Sequence, residues 1–253
     1  RPIIFWFRND LRLGDHPALT AAVKTGAPII PLYILDEDAG GRWKAGSASR
    51  WWLAKSLEAL GRDIALRRSR LILRRGETVR ELKRIVEETD AQAVYASRRY
   101  DPSSVDLEAK LHKAFSARDI GFKRFGGVLL REPEEVRNGS GEPYNVFTPF
   151  WRAFRREFAP SNALPAPEHL TPVSKQISSD CLSDWNLLPT KPDWSGGLAD
   201  TWTPGEAGAQ SRLRDFVSKA LPNYDAGRDR PAANQTSRLS PYFAFGEISP
   251  ASC

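Results

Sequence analysis

Hydroxyl and guanidinium side chains cluster immediately before a predicted helix near the end of the chain. The residues of this cluster are Thr236, Ser237, Arg238, Leu239 and Ser240. Pro241 fits the first turn of a helix, where its missing N–H costs nothing, and Ser240 is the predicted N-cap. Free backbone N–H groups at a helix start, with hydroxyls and an arginine beside them, are suited to hold a phosphate or diphosphate. The alternative is that the hydroxyls only cap the helix.

A second charged cluster lies at the other end of the chain, directly after a predicted strand. Residues 3–7, Ile-Ile-Phe-Trp-Phe, are bulky and apolar without alternation, which is typical of a strand buried on both faces of a parallel sheet. Arg8, Asp10 and Arg12 follow in the next loop. Ligands of such sheets bind beyond the carboxyl ends of the strands, so we expect this loop to lie beside a site. Alternatively, the three charged side chains only pair with one another.

The first helix is predicted directly after that loop. Asp15 is its predicted N-cap, Pro17 stands in its first turn, and the helix should cover about residues 16–25. A strand, a loop and a helix in this order begin a βαβ unit.

Strand and helix patterns then alternate. The further predicted strands cover residues 28–35, 71–73, 93–96 and 122–125. The further predicted helices cover residues 47–62, 77–89 and about 103–120. Ser47 is the predicted cap of the first of these helices, Glu77 begins the second, and Ser103 or Ser104 begins the third. Four strand–helix pairs followed by a fifth strand predict an α/β fold with a doubly wound, five-stranded parallel sheet of Rossmann-like type.

The common nucleotide and hydrolase motifs are missing from this part of the sequence. No G-x-G-x-x-G follows the first strand, and neither a G-x-x-x-x-G-K-[ST] phosphate loop nor a G-x-S-x-G nucleophile motif occurs. Trp51 and Trp52 share the apolar face of the helix at 47–62, so we expect them in the core rather than against a cofactor.

The alternation ends near residue 131. Residues 137–144 have the composition of a tight hairpin. A short helix is predicted to open at Pro149, with Phe150, Phe154 and Phe158 on one face.

Prolines then recur between residues 159 and 205. A connection of this length is predicted to be an extended segment packed over the first domain. We expect domain boundaries that give a first domain at 1–132, a connection at 133–204 and the beginning of a second domain at 205–253. A helix is predicted in this last part, at 209–221.

Composition limits the kinds of partner. The 253 residues carry 37 Lys and Arg against 31 Asp and Glu, a formal net charge of +6. This excess favours phosphate-bearing partners, although arginines on helix faces are also common as solvated surface. Two cysteines are too few for a disulfide framework, and the three histidines have no metal-ligand spacing, so we expect no metal site.

No uninterrupted apolar run approaches the roughly 20 residues of a membrane helix, and no secretory leader precedes the first strand. We expect a cytoplasmic protein without a membrane contact, and a monomer. The chain begins at Arg1 without a methionine and stops at Cys253 shortly after a predicted helix start, so we expect a fragment.

Four motifs in order along the chain carry a family resemblance. They are F-W-F-R-N-D-L-R-L-G-D-H-P-A-L at 5–19, G-S-G-E-P-Y-N-V-F-T-P-F-W at 139–151, Tyr224 with Arg228 one turn later, and T-S-R-L-S-P-Y-F-A-F-G-E-I-S-P at 236–250. Together they resemble the DNA photolyase/cryptochrome family, and most closely its microbial cyclobutane pyrimidine dimer photolyases. The match extends along essentially the whole chain.

The resemblance implies an α/β antenna domain followed by the beginning of an all-helical domain that binds FAD. It implies an enzyme that repairs ultraviolet-damaged DNA by blue-light-driven electron transfer from reduced FAD. Tyr224 and Thr236, Ser237, Arg238, Leu239 and Ser240 match FAD contacts of the family, the last five around the diphosphate. Arg228 matches a position at the DNA-binding face.

The antenna chromophore is left open by the resemblance. Relatives that use folate place an Asn-Glu pair after the fourth strand, where this sequence has Tyr100, Asp101 and Pro102. Methenyltetrahydrofolate, 8-hydroxy-5-deazaflavin and no antenna all remain as alternatives.

The family residues around the flavin ring and the lesion have no counterpart within these 253 residues, so no catalytic residue is assigned. We expect the fragment to be inactive alone and to bind FAD weakly or not at all. The alternatives to dimer repair are a cryptochrome photoreceptor, a (6-4) photolyase and a non-enzymatic nucleotide-binding module.

Overall fold

One parallel sheet forms the centre of the first half of the chain in the computed structural model, which describes residues 1–39, 41–159 and 162–253. Its strands are β1 (Ile3–Phe7), β2 (Ile29–Leu35), β3 (Ile72–Arg75), β4 (Ala93–Ser97) and β5 (Gly121–Phe125). All neighbours pair in parallel in the order β3-β2-β1-β4-β5. The predicted fold class is confirmed, and the strand order reverses between β1 and β4, where ligands of such sheets bind.

The central strand β1 is buried on both faces, as its sequence predicts. Ile3, Phe5 and Phe7 point into one apolar layer, whereas Ile4 and Trp6 point into the other. This two-sided burial follows from the period of two along a strand and the helices that cover both faces of the sheet.

The helices that cover the sheet are α1 (Pro17–Lys24), α2 (Ser47–Leu66), α3 (Thr78–Thr89) and α4 (Pro102–Ser116). Glu77 precedes α3 and caps it, because its carboxylate accepts the backbone N–H groups of Val79 and Arg80 at 3.1 and 2.7 Å. Asp101 likewise accepts from the N–H of Ser104 at 2.9 Å, so α4 begins at Pro102 rather than at Ser103 or Ser104.

Other predicted helix boundaries are also wrong. Asp15 does not cap α1, since His16 occupies the cap position and Asp15 accepts instead from the N–H of Leu164 at 3.1 Å. Ser47 is the first residue of α2 rather than its cap, and α2 continues past Gly61 because the buried Ile64 packs into the core.

The predicted hairpin at residues 137–144 is also wrong. Asn138 forms a single tight turn, in which its N–H donates to the carbonyl of Glu142 at 2.9 Å and its side chain accepts from the N–H of Ser140 at 2.9 Å. Pro143 has no N–H to continue a ladder, and no strand flanks the turn.

Helix α5 (Phe147–Glu157) confirms the predicted short helix, although it begins two residues before Pro149. The ring centroids of Phe150 and Phe154 are 5.9 Å apart, and those of Phe154 and Phe158 are 5.2 Å apart. The three phenylalanines therefore share one face.

The connection that follows packs along the sheet, with residues 160–161 outside the described ranges. The N–H of Ile29 donates to the carbonyl of Thr171 at 2.8 Å, and the N–H of Asp180 donates to the carbonyl of Leu73 at 2.8 Å. Trp185 is buried in the same apolar layer as β1. The segment is extended and packed as predicted, but it ends in a short helix, α6 (Gly196–Thr201), that the sequence did not indicate.

The last part of the chain is helical. It contains α7 (Glu206–Asp215), a π-helical turn at Phe216–Ala220, a 3₁₀ turn at Leu221–Asn223, α8 (Tyr224–Gly227), α9 (Ser240–Phe245) and a 3₁₀ turn at Pro250–Ser252. The single helix predicted at 209–221 is therefore broken near its end. Trp51 and Trp52 of α2 pack with Tyr242 of α9 in an apolar cluster, which confirms their predicted place in the core. None of the helices in the described ranges has the length and apolar content to cross a membrane.

Candidate cofactor site

The Thr236–Ser240 segment leads directly into α9. The helix begins at Ser240, and Leu239 occupies the position of the cap, so the predicted N-cap role of Ser240 is wrong. Leu239 takes this position because its side chain is anchored in the apolar cluster with Trp52 and Tyr242. Since α9 has only six residues, an anion at this segment would be held by the polar side chains rather than by a helix dipole.

The segment alternates between an anchored residue and exposed polar ones. Leu239 is buried, whereas Thr236, Arg238 and Ser240 are exposed to solvent. Ser237 accepts the N–H of Leu239 with its hydroxyl at 3.4 Å, which shapes the turn. The hydroxyls of Thr236 and Ser240 and the guanidinium of Arg238 therefore face solvent, while the buried Leu239 fixes the segment.

Arg238 has an unusual backbone conformation. Its φ is +53°, in the left-handed region that non-glycine residues seldom adopt and that is enriched at functional sites. Within the described residues, no hydrogen bond or ion pair engages its guanidinium. The left-handed conformation of Arg238 is unfavourable for the backbone, and it leaves the guanidinium in solvent without a partner among the described residues.

Gln235, immediately before the segment, has a buried acceptor without a donor. Its side-chain oxygen Oε1 has no hydrogen-bond partner among the described residues. Gln235 packs against Gly227 of α8, where a Cβ would lie 2.4 Å from Cγ of Gln235. A buried acceptor left unpaired costs about 1–3 kcal/mol, so this atom fits a site that a hydrogen-bonding ligand completes.

Tyr224 begins α8, and Arg228 follows directly after its last residue. The guanidinium carbon of Arg228 is 5.5 Å from the centre of the Tyr224 ring, and the ring meets Phe216 edge-on at 5.8 Å. Arg228 is exposed, and its Nε is 3.6 Å from a carboxylate oxygen of the neighbouring Asp229. The contact between Gly227 and Gln235 joins this pair to the Thr236–Ser240 segment.

The charged loop after β1 is buried rather than open. Arg8 pairs with Glu108 of α4, and Asp10 lies 3.1 Å from Nε2 of His16. The alternative that Arg8, Asp10 and Arg12 only pair with one another is therefore wrong. Burial opposes ionisation of Asp10, but the contact with His16 and the N–H of Arg8 outweigh it and hold the pKa of Asp10 below its ordinary value.

The same loop holds the end of α9. The N–H of Leu11 donates to the carbonyl of Phe245 at 3.0 Å, and Arg12 donates to the carbonyl of Gly246 at 3.0 Å. Gly246 has φ +65°, and a Cβ there would lie 2.1 Å from the carbonyl oxygen of Asn9. Two of the sequence motifs thus form one contact between the sheet and the helical part.

A cleft of about 500 Å³ opens at the switch point of the sheet. Its walls include Arg12 after β1, Tyr100 and Asp101 after β4, and Phe243 of α9. Tyr100 donates its hydroxyl to Glu132 at 2.6 Å, and burial together with this carboxylate raises the pKa of Tyr100. The walls contain no residue of the Thr236–Ser240 segment, so the cleft and that segment are separate features.

Comparison with known proteins decides the family. The DNA photolyase family model matches residues 3–168. The deoxyribodipyrimidine photo-lyase of Agrobacterium fabrum is 45% identical over 250 residues, which cover 99% of this chain and 52% of that protein. The chain belongs to the DNA photolyase family.

Other members of the photolyase family match along the same length. Cryptochrome-1 of Arabidopsis thaliana is 32% identical, over 97% of this chain and 36% of that protein. The crystal structure of a bacterial class III photolyase from Agrobacterium tumefaciens superposes with a TM-score of 0.93 at 44% identity, over 99% of this chain and 52% of that one. The chain spans about half the length of the photolyases it matches.

The sequence analysis of this photolyase-family chain missed Glu247, a fully buried carboxyl directly after Gly246. It accepts hydrogen bonds from Trp52, Ser56 and the N–H of Gly205. Burial raises its pKa to about 7, although the three hydrogen bonds oppose the shift. The sequence signal that could have indicated a buried carboxyl is the single acidic residue within F-G-E-I-S.

Proposed function

We propose that this chain is the antenna domain and the beginning of the FAD-binding domain of an enzyme that repairs cyclobutane pyrimidine dimers in DNA with light. The domains would be residues 1–132, a connection at 133–204, and the helical part from 205. The observation that carries the proposal is the exposed guanidinium of Arg238, which has no partner among the described residues and belongs to a left-handed residue between the exposed hydroxyls of Thr236 and Ser240.

The polar side chains of Thr236–Ser240 fit the diphosphate of FAD. Arg238 would donate to phosphate oxygens, and the hydroxyls of Thr236 and Ser240 would donate beside it, while Leu239 anchors the segment. Gln235 Oε1 would receive a donor from the cofactor or an ordered water. When bound and reduced, FAD supplies the electron that splits the cyclobutane ring, and this chain contributes positioning.

Arg228 and Tyr224 belong to the same proposal. Tyr224 would pack against the cofactor beside its diphosphate. Arg228 is exposed and would bind a backbone phosphate of the damaged DNA, in keeping with the net charge of +6. An Arg228→Ala change should weaken binding to all DNA and lower its salt dependence by about one phosphate contact.

The cleft at the switch point is the proposed antenna site. Its walls combine the loops after β1 and β4 with α9, and its volume of about 500 Å³ suits a small aromatic chromophore. Methenyltetrahydrofolate and 8-hydroxy-5-deazaflavin are the two candidate chromophores, the absence of an antenna is the alternative, and an absorbance spectrum distinguishes the three cases.

A cryptochrome photoreceptor is the second candidate, favoured by the 32% identity to the Arabidopsis protein. The two functions differ in light-dependent loss of dimers from DNA. A (6-4) photolyase would differ in the lesion repaired. A nucleotide-binding module would instead bind its ligand with residues 1–130 alone, although Phe243 and Gly246 of the helical part also line the cleft.

Flavin occupancy tests the proposal. Residues 1–253 are fused to the second half of the Agrobacterium fabrum photo-lyase, so that the chain has the length of its relatives. We expect about one flavin per chain, and we expect Arg238→Ala to lower flavin affinity about tenfold or more because charge-assisted bonds are lost. Arg62→Ala, at an exposed position of α2, is the matched control and should leave occupancy unchanged.

Full flavin occupancy in the Arg238→Ala fusion, and also in a fusion that lacks the hydroxyls of Thr236 and Ser240, would refute the proposed diphosphate site. An unfolded fusion is recognised by its circular dichroism. In that case, equilibrium dialysis of FAD against residues 1–253 mixed with the separate second half replaces the fusion.

A further inference from the structure

The carboxyl group of Glu247 joins three segments of the chain. Trp52 of α2 donates its indole N–H to Oε2 at 3.0 Å. Ser56, one turn later on α2, is 2.5 Å from Oε1, and the N–H of Gly205 donates to the same Oε1 at 2.6 Å. Glu247 is fully buried, so these contacts lie out of water.

No cation in the described part of the chain balances this carboxyl. Within the described ranges, Glu247 takes part in no salt bridge. The charged and titratable groups on the helices packed around it are Arg50, Lys55, Glu58, Arg62 and Asp63 of α2, Glu206, Arg212, Arg214 and Asp215 of α7, and Tyr242 of α9. Arg12 of the loop after β1 reaches the neighbouring Gly246.

The cations among these groups are engaged elsewhere or exposed: Arg50 pairs with Glu37, whereas Arg62 and Arg214 are exposed to solvent. Lys55 pairs with Glu58, and Glu206 accepts the N–H groups of Leu13 and Gly14. Arg212 lies over the ring of Trp202, Tyr242 donates to the carbonyl of Thr203, and Arg12 donates to the carbonyl of Gly246. An ionised Glu247 would therefore be a buried charge with only neutral donors, which is unfavourable.

The oxygen–oxygen distances around the carboxyl fit a neutral acid. The hydroxyl oxygen of Ser56 lies near two acceptors, Oε1 of Glu247 and the carbonyl oxygen of Trp52 at 2.9 Å. Its single proton serves one of them. Ser56 donates to Oε1 when Glu247 is ionised, but when Oε1 carries a proton the direction reverses: Oε1 donates to Ser56, and Ser56 donates to the carbonyl of Trp52. The N–H of Gly205 donates to Oε1 in both states, so the neutral acid leaves every oxygen of this chain of bonds with a partner.

Glu247 is coupled to the Thr236–Ser240 segment through α9. Leu239 and Tyr242 pack in the same apolar cluster as Trp52, the residue that donates to the carboxyl. Gly246 immediately precedes Glu247 and lies against the backbone of the loop after β1, where there is no room for a side chain. Loss of the carboxyl contact therefore frees one side of α9.

We propose that Glu247 is a positioning residue, held as the neutral acid, that fixes α9 and the Thr236–Ser240 segment on α2 and releases them as the pH rises. The contact itself does not depend on what the segment binds. Only the statement that it positions a flavin diphosphate rests on the proposed function.

The direction of the pH effect follows from linkage. Burial raises the pKa of Glu247 from 4.5 to about 7, so the closed contact binds a proton more tightly than the open one. The stabilising contribution is fully present below the ordinary pKa of the group and is lost as the pH rises through about 7.

Amide hydrogen exchange of the 253-residue chain tests the proposal. Protection factors for residues 239–249 are corrected for the intrinsic pH dependence of exchange and compared at about pH 5.5 and about pH 8.5. We expect wild-type protection to fall roughly tenfold or more at the higher pH, and protection in β1 and β4 to stay constant.

Glu247→Gln is the conservative variant, because an amide is neutral at both pH values. We expect it to abolish the pH dependence, and Glu247→Ala to give low protection throughout. A flat wild-type profile, or a wild-type slope that persists in Glu247→Gln, would overturn the proposal.

Infrared difference spectroscopy on the wild type covers the case in which the variants do not fold. A protonated carboxyl band that disappears between the same two pH values supports a neutral Glu247, and its absence at the lower pH contradicts it. A flavin-free fusion combined with the expected exchange profile would defeat the proposed function while leaving this inference in place.

Discussion

At the scale of single residues, Gly246 is the position where a methyl group should do most harm. Its φ of +65° is unfavourable for an L side chain, and a Cβ would overlap the backbone of Asn9 and Asp10. We expect Gly246→Ala to lower the free energy of unfolding by about 2 kcal/mol or more, measured by urea denaturation. Gly139→Ala, where no atom lies within 4 Å, is the control and should change stability by less than about 0.5 kcal/mol. Equal stability of the two variants would contradict the contact between the loop after β1 and α9.

Arg12 is a second residue whose role depends on its shape. Its guanidinium donates to the carbonyls of Asp15, Gly127 and Gly246 at 3.0, 2.8 and 3.0 Å, and the side chain is buried. A lysine has one nitrogen and does not reach three separate carbonyls, so we expect Arg12→Lys to cost about 2–3 kcal/mol of stability. Thermal unfolding measures this loss, with Arg62→Lys at an exposed position as a neutral control. An unchanged melting temperature for Arg12→Lys would show that the three hydrogen bonds of the guanidinium are not needed for stability.

At the scale of elements, strands were predicted better than helix ends. The strands carry their own signal, since β1, β2 and β4 are runs of apolar residues that suit burial on both faces. Helix starts depend on which polar side chain reaches the free N–H groups. Asp15 and Ser240 have suitable side chains, yet distant contacts with Leu164 and the burial of Leu239 decide those two starts instead.

The extended connection is an element in its own right, and Trp185 is its anchor. This tryptophan is 2% exposed, contacts Tyr33 of β2 and donates its indole N–H to Asp180 at 3.1 Å. We expect Trp185→Ala to cost about 3–5 kcal/mol, because it leaves a cavity beneath the segment. Trp194 lies in the same connection but is 44% exposed, so Trp194→Ala should cost less than about 1 kcal/mol. Urea denaturation compares the two, and similar losses would mean that the connection does not depend on its buried anchor.

At the scale of the whole molecule, the sheet could be predicted from the sequence. The contact between the sheet and the helical last part of the chain could not. Strand–helix alternation predicted the parallel sheet, and the unbroken apolar run of residues 3–7 predicted a strand buried on both of its faces. The sequence offered no way to see that Leu11 and Arg12 bind Phe245 and Gly246, more than 230 positions away, or that Glu247 meets Trp52. Such contacts depend on tertiary distances that no local pattern encodes. The exposed Thr236–Ser240 segment was visible as a motif, but its left-handed Arg238 was not.

Light-dependent dimer repair is the direct test of the central claim. A fusion of residues 1–253 with the second half of the Agrobacterium fabrum photo-lyase, loaded with reduced flavin, is given an oligonucleotide that contains one thymine dimer. The proposed function predicts that dimers disappear under blue light and persist in the dark, and that Arg238→Ala lowers the rate in proportion to the flavin it loses. A folded fusion with a full complement of flavin that leaves the dimers intact, while the unmodified Agrobacterium enzyme repairs them, would contradict it.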